Sequence, residues 1–205
     1  TIHHDGMAGN VCKNLEALGC TVNFLHGAVS KKNRLIDERT KQQLLRIDHD
    51  ANCEPVTFET AIPPVYDAVV ISDYNKGTVT YELIEDLSRE VTVPIFIDTK
   101  KKDLGKFNGC FVKINESEFN ARTSTNDLLI VTLGDKGAMF NGKVFETVNA
   151  EVVDVTGCGD TFLSALVFKF VETQDIEKAI LFANKASSIT VQKMGVYAPR
   201  LEEIG

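Results

Sequence analysis

The sequence predicts an α/β fold, and three observations carry that prediction. Short continuous apolar runs recur along the chain, at residues 68–72 (AVVIS), 94–98 (PIFID) and 128–133 (LLIVTL). Runs this short and this apolar suit strands buried on both faces, as in a parallel sheet. An amphipathic segment separates the first two, giving the strand, helix, strand order of a βαβ unit. The last third turns helical, and residues 161–171 (TFLSALVFKFV) are apolar almost all round, as a helix buried within a domain would be.

Each element has a local reason. Residues 8–18 read as a helix stopped by Gly19. Residues 21–60 alternate polar and apolar more than the rest, which predicts exposed strands or a flap. In residues 79–90, Leu83, Ile84 and Leu87 recur at helical spacing, and Thr78 or Thr80 can cap the start. Asn141-Gly142 reads as a hairpin turn between Ala138-Met139-Phe140 and Val144-Phe145. Residues 175–192 place Ile176, Ala179, Ile180, Ala183 and Ala186 on one face, with Gly195 available to close the helix. With no internal repeat and no low-complexity linker, residues 1–205 read as one domain.

Composition narrows the function classes. A chain 43% hydrophobic and 25% charged is neither collagen-like, mucin-like nor wholly disordered. Its 22 Lys and Arg against 29 Asp and Glu give a net charge of −7, with no dense basic stretch, so nucleic acid is a poor partner. A local cationic pocket for a small anionic ligand stays compatible with that balance. Cys12, Cys20, Cys53, Cys110 and Cys158 are scattered without C-x-x-C spacing, His3 and His4 are adjacent, and His26 and His49 stand alone. That pattern predicts free thiols in a reducing compartment rather than a metal site. No apolar run reaches the roughly 18 residues that span a bilayer, and no basic-then-apolar leader opens the chain. A cytoplasmic protein is expected.

The most informative segment is Asp154-Val155-Thr156-Gly157-Cys158-Gly159-Asp160, directly before the apolar helix. Glycines allow close backbone approach, and the amides of Gly157, Cys158 and Gly159 would lie at a helix N-terminus, a ready anion site. Asp160 falls in the first turn, where the helix dipole favours its ionised form. A carboxylate beside an anion hole is what phosphoryl transfer to a hydroxyl needs. The same spacing also fits an aspartate that merely caps a helix. Residues 137–144 (GAMFNGKV) come near a P-loop, but Val144 stands where a magnesium-binding hydroxyl belongs, and no G-x-G-x-x-G occurs.

The segment DVTGCGD resembles the signature of the ribokinase-like (PfkB) carbohydrate kinase family. Gly6-Met7-Ala8-Gly9-Asn10, Asn115-Glu116-Ser117-Glu118 and Thr132-Leu133-Gly134-Asp135-Lys136-Gly137 are similar to further family segments in the family's order. More narrowly, residues 42–48 (QQLLRID), 72–77 (SDYNKG) and Asp98-Thr99-Lys100 resemble the heptose 7-phosphate kinase branch. The resemblance implies a three-layer sandwich with a mainly parallel central sheet and a small β lid within residues 21–60. It implies ATP and Mg²⁺ as cofactors, with room for a monovalent cation, and a homodimer.

The resemblance also implies roles. Asp160 would be the base, with Gly157, Cys158 and Gly159 as anion hole. Asn115 and Glu118 would hold Mg²⁺ through water, and Thr132, Gly134, Gly137 and Asn184 would border the nucleotide. Asn10 would bind the sugar, while Arg46, Lys76 and Lys100 would balance substrate phosphate charge. Taken singly, Asn115 and Glu118 also read as a helix start, Arg46 and Lys76 as solvated charges, Thr132 as a strand residue and Asn184 as a polar group on a helix face.

Departures from the family pattern bear on the sugar end. The 205 residues lack the G-D-x-x-x-D strand end that supplies a sugar-binding aspartate in the family, and they hold no nucleotidyltransferase domain. The stretch from Leu25 to Gln42 is short for a strand, a helix and lid strands, and only nine residues separate Asn120 from Ile130. The function expected is an ATP-dependent kinase for the anomeric hydroxyl of a heptose 7-phosphate-like sugar. Its rivals are a kinase for another sugar, of ribokinase or fructokinase type, and a non-catalytic relative that binds nucleotide or sugar.

Overall fold

In the computed structural model, which describes residues 6–27, 31–37, 39–40, 42–49, 51, 53–56 and 66–205, the chain opens with helix α1 (Met7–Ala17). Leu18 ends it and Gly19 turns away at φ +92, as expected. The amide of Gly19 donates to the Glu16 carbonyl and that of Cys20 to the Leu15 carbonyl, the paired bonds of a Schellman stop. Strands β1 (Lys31–Ile36) and β2 (Gln43–His49) then form a separate antiparallel pair, with Arg34 opposite Arg46. This pair lies within the segment expected to form exposed strands.

The main sheet has six strands in chain order: β3 (Val69–Asp73), β4 (Ile95–Thr99), β5 (Phe111–Asn115), β6 (Leu129–Thr132), β7 (Ala138–Phe140) and β8 (Lys143–Phe145). The first four are parallel and the last two antiparallel. Asn141 at φ +50 and Gly142 at φ +76 make the hairpin turn that their pairing predicts. Helix α2 (Tyr81–Glu90) links β3 to β4, and Thr80 accepts from the Leu83 amide as its cap. Strand β5 has no counterpart among the strands read from the sequence, because Lys113 interrupts its apolar run.

Helix α3 (Glu116–Ala121) follows β5, and α4 (Cys158–Thr173), α5 (Ile176–Thr190) and α6 (Leu201–Ile204) complete the chain. Eight consecutive residues of α4, Asp160 to Val167, are buried, which is why its sequence shows no polar face. Gly195 does not close α5: the helix ends at Thr190, and the Gly195 amide instead donates to Asp154 Oδ2 at 2.8 Å. Among the described residues no helix is long and apolar enough to cross a membrane.

Alternation along the strands sorts side chains into two cores. Phe96 and Ile130 face α1, α4 and α5 with Val11, Leu15, Leu163, Leu166 and Ile180. Ile97, Val112 and Ile114 face the other way, onto Ile84 and Leu87 of α2 and onto Leu104 and Phe107. Helices on both faces of a mainly parallel sheet give the expected three layers. The register sets Ser72 beside Asp98, Asp98 beside Lys113 and Lys113 beside Ile130. This row lies two residues beyond Phe96 and so on the α4 side of the sheet. At the C-terminal end of the strands the apolar stripe therefore becomes polar, directly under the start of α4.

Leu166→Ala should cost about 2–5 kcal/mol in urea unfolding, since Leu166 is fully buried. Leu181→Ala on the neighbouring helix, where the side chain is 52% exposed, should stay within about 0.5 kcal/mol of the parent protein.

Candidate active site

The glycine-rich turn is fixed before the helix begins. Asp154 Oδ1 accepts from the Thr156 amide and hydroxyl at 2.9 and 2.7 Å, and Oδ2 from Gly195. The Thr156 hydroxyl above all, with the two amides, holds the Asp154 carboxyl below its ordinary range. Gly157 sits at φ +81, and a Cβ there would lie 2.9 Å from Asn10 Nδ2, so the turn and the close approach of α1 both demand glycine. Of the three amides expected to form the anion hole, that of Cys158 also closes the turn onto the Val155 carbonyl at 3.3 Å. Those of Gly157 and Gly159 flank it at the head of α4. The Cys158 thiol is pushed up to about 11 by burial, then by Asp154 and Asp160.

Asp160 is 3% exposed. Asn10 Nδ2 donates to its Oδ2 at 2.8 Å, while its Oδ1 is buried with no hydrogen-bond partner. The sequence suggests that the helix dipole keeps this carboxylate ionised; in the structure desolvation wins and pushes it up to about 6. The Asn10 bond and the Lys113 charge restrain that rise, and Asp98 adds to it. A carboxylate with one uncommitted oxygen, titrating near neutrality, is equipped to take a proton. Asn10, expected to bind sugar, donates one of its two amide hydrogens to Asp160, which orients that carboxylate, and accepts from Asn14 Nδ2 at 3.2 Å.

Beside Asp160 lies a charged group that the motifs do not reveal. Lys113 Nζ is 2.9 Å from Asp98 Oδ2, and a Cβ on Gly159 would lie 3.0 Å from the same Nζ. Tyr74 lies among these charges: burial first, then Asp160, Asp98 and Glu118, push its hydroxyl well above the usual phenol range. The signal for Lys113 is in the sequence, since a lysine inside the strand Phe-Val-Lys-Ile-Asn must find a buried partner.

The other expected residues fall in three places. Asn115 and Glu118 form a reciprocal capping box at the start of α3, with both bonds at 2.9 Å. Glu118 Oε1 also accepts from Lys100 Nζ at 2.7 Å, and that ammonium lies 5.3 Å from the centre of the Tyr74 ring. Lys100 thus stands with Glu118. The Thr132 hydroxyl donates to the Ile114 carbonyl at 3.3 Å, joining β6 to β5, and Gly134 opens the turn that follows at φ +64. At Gly137, φ is +92 and a Cβ would lie 2.1 Å from the Phe145 carbonyl. Asn184 Nδ2 donates to that same carbonyl at 2.7 Å, so Gly137 and Asn184 meet across the end of β8. Lys76 is exposed in the loop after β3, and Arg46 lies on β2, its side chain outside the described residues.

Residues 113–204 match the family described as pfkB family carbohydrate kinase, and the match begins at Lys113 and spans Asn115, Glu118, the glycine turn and Asp160. Residues 113–204 carry a pfkB family carbohydrate kinase domain. The bifunctional protein HldE of a Nitratiruptor species is 30% identical over 97% of this chain and 55% of that protein. HldE of Pasteurella multocida is 32% identical over 75% of this chain and 39% of that protein. The chain spans about half the length of the curated relatives it matches. Among solved structures, a sugar kinase from Clostridium perfringens, described as putative, superposes with a TM-score of 0.73 at 16% identity, covering 100% of this chain and 84% of that one. Ribokinase from Thermotoga maritima gives 0.66 at 20% identity, over 98% and 77%. These likenesses establish the ribokinase-like fold.

A folded-state value near 6 against 3.8 in the unfolded chain means that the folded protein keeps the Asp160 proton longer. Stability therefore falls as pH rises from about 4 to about 6, and the loss persists above that. Asp160→Asn should raise stability at pH 7.5 by about 1–3 kcal/mol and leave it nearly unchanged at pH 4, as measured by denaturant unfolding at both pH values. A variant less stable than the parent at pH 7.5 would contradict the burial cost assigned to this carboxylate.

Proposed function

We propose that this chain is an ATP-dependent sugar kinase that phosphorylates the anomeric hydroxyl of a heptose 7-phosphate-like sugar. The observation that carries the reading is Asp160 itself: buried, oriented by Asn10, and left with one free oxygen at the head of a helix whose first amides can receive a phosphoryl group. The heptose preference is supported by the residues 72–77 and Asp98-Thr99-Lys100 segments, and by the likeness to HldE proteins.

In this reading Asp160 Oδ1 accepts the proton of the sugar hydroxyl as the hydroxyl oxygen bonds to the γ-phosphorus of ATP. The bond from phosphorus to the bridging oxygen breaks, ADP leaves, and the proton on Asp160 passes to solvent. Asn10 keeps Oδ2 occupied, so the base presents one oxygen. The amides at the head of α4 hold the charge of the transferring group.

Among the described residues no cluster of three metal-ligating side chains occurs, which disfavours a direct protein chelate. Mg²⁺ would arrive with ATP and be held through water by Glu118 and Asn115, supplying charge neutralisation at the phosphates. Glu118, with Lys100 against it, suits that place. Lys100 then serves the nucleotide side, while Lys76 and Arg46 serve the sugar phosphate. The β1–β2 pair would mediate a homodimer, since Leu44, Leu45 and Ile47 are exposed on β2.

ADP release should be followed with Mg·ATP and a panel of sugars: D-glycero-D-manno-heptose 7-phosphate, ribose, fructose and fructose 6-phosphate. Heptose-dependent turnover is expected, falling about 10²–10⁴-fold in Asp160→Asn. Turnover of ribose or fructose alone would replace the heptose assignment, and ATP binding without any turnover would support a binding-only relative. In the active protein kcat/KM should drop about tenfold per pH unit below about 6, where Asp160 takes up its proton.

A further inference from the structure

Lys113 has no task in the mechanism above, yet its position is unusual. It occupies the central strand β5, where the residues on either side, Val112 and Ile114, are fully buried apolar side chains. Its side chain is 6% exposed and that of its partner Asp98 is 16% exposed. A buried ion pair offsets its desolvation cost poorly, so stability alone does not account for a charge here. The direction of the side chain does. It runs from the sheet to the first turn of α4, where Nζ lies 3.0 Å from the place a Gly159 Cβ would take. Helical Cα–Cβ bonds tilt towards the helix N-terminus, so that place lies at the level of the uncommitted amides. Glycine at 159 leaves room for the ammonium, which adds a full positive charge to the partial charges of the helix end.

We propose that Lys113 is part of the anion site at the head of α4 and contacts the phosphoryl group in transfer. Asp98 aims the ammonium, and Asp160 lies close enough to feel its charge. Lysine at a phosphate acts as a point charge, and on a β-strand of the central sheet it is held more rigidly than a loop lysine would be. This inference rests on the kinase reading for the chemistry, but the anion site can be tested without it.

The test measures inorganic phosphate binding by calorimetry on the whole chain, alongside ADP release. Lys113→Met strands the Asp98 carboxylate, so Asp98→Asn/Lys113→Met, which removes both charges, is measured beside it, with circular dichroism to establish that each variant folds. The parent protein should bind phosphate, and the double variant should bind it about tenfold or more weakly. Lys113→Arg should keep most of the affinity. Asp98→Asn, which keeps the ammonium but removes both its counter-charge and the group that aims it, should change the affinity by less than the double variant does. A lysine serving only to hold β4 and β5 together would leave the phosphate affinity the same in a folded double variant.

In turnover, the double variant should lose about 10²–10³ in kcat while KM for the sugar stays within about threefold. Phosphate binding unchanged in the double variant would overturn the proposal, as would a parent protein that binds no phosphate. Lys113-dependent phosphate binding in a protein that phosphorylates no sugar would leave the proposal standing and remove the kinase reading instead.

Discussion

The rest of the site depends on the burial of the head of α4 against the C-terminal end of the parallel strands. A helix end presents amides without partners, and a sheet end presents loops, so their meeting creates a polar enclosure inside an apolar domain. Asn10 and Asp160, 150 residues apart, close it from the α1 side with a single hydrogen bond. Lys113 and Asp98 close it from the sheet side. The enclosure acts on two groups inside it: Asp160 is pushed up by desolvation, and the Tyr74 phenol by desolvation and by the carboxylates around it.

The two halves of the site are built by different physics. The Asp160 half is electrostatic, with buried charges a few ångströms apart and one acceptor oxygen unmatched. The half around Gly137 and Asn184 is braced through the backbone: the Phe145 carbonyl fills the place a Gly137 Cβ would take and accepts from Asn184. The Asn184 carbonyl in turn accepts from the Thr147 hydroxyl. Glu118 and Lys100 pair at the start of α3, with Tyr74 beside the ammonium. A reaction that joins two substrates gains from a frame in which one side sets geometry and the other sets charge.

Much of this was legible in the sequence. Apolar runs gave the strands buried on both faces, Gly19 marked the end of α1, Asn141-Gly142 marked the hairpin turn, and the glycine-rich turn before an all-apolar helix located Asp160. What escaped was tertiary. Strand β5 was hidden by Lys113, whose meaning lies in Asp98 one strand away. The bond from Asn10 to Asp160 was hidden too, because 150 residues separate the pair. Gly195 read as a helix stop because its partner, Asp154, lies 41 residues earlier. The ionisation of Asp160 depends on how deeply α4 is sunk, a quantity that local pattern does not encode.

Cys158 has a consequence of another kind. A cysteine at the first position of a helix usually has a low pKa and is reactive, because the helix dipole favours the thiolate. Here burial and the carboxylates of Asp154 and Asp160 reverse that tendency, and the thiol is pushed up to about 11. At neutral pH it stays protonated and is a poor nucleophile towards peroxides and alkylating agents. Burial first, and then the same carboxylates that shape the turn, thus also shield its sulfur, so the glycine-rich turn holds a thiol without acquiring a redox liability there.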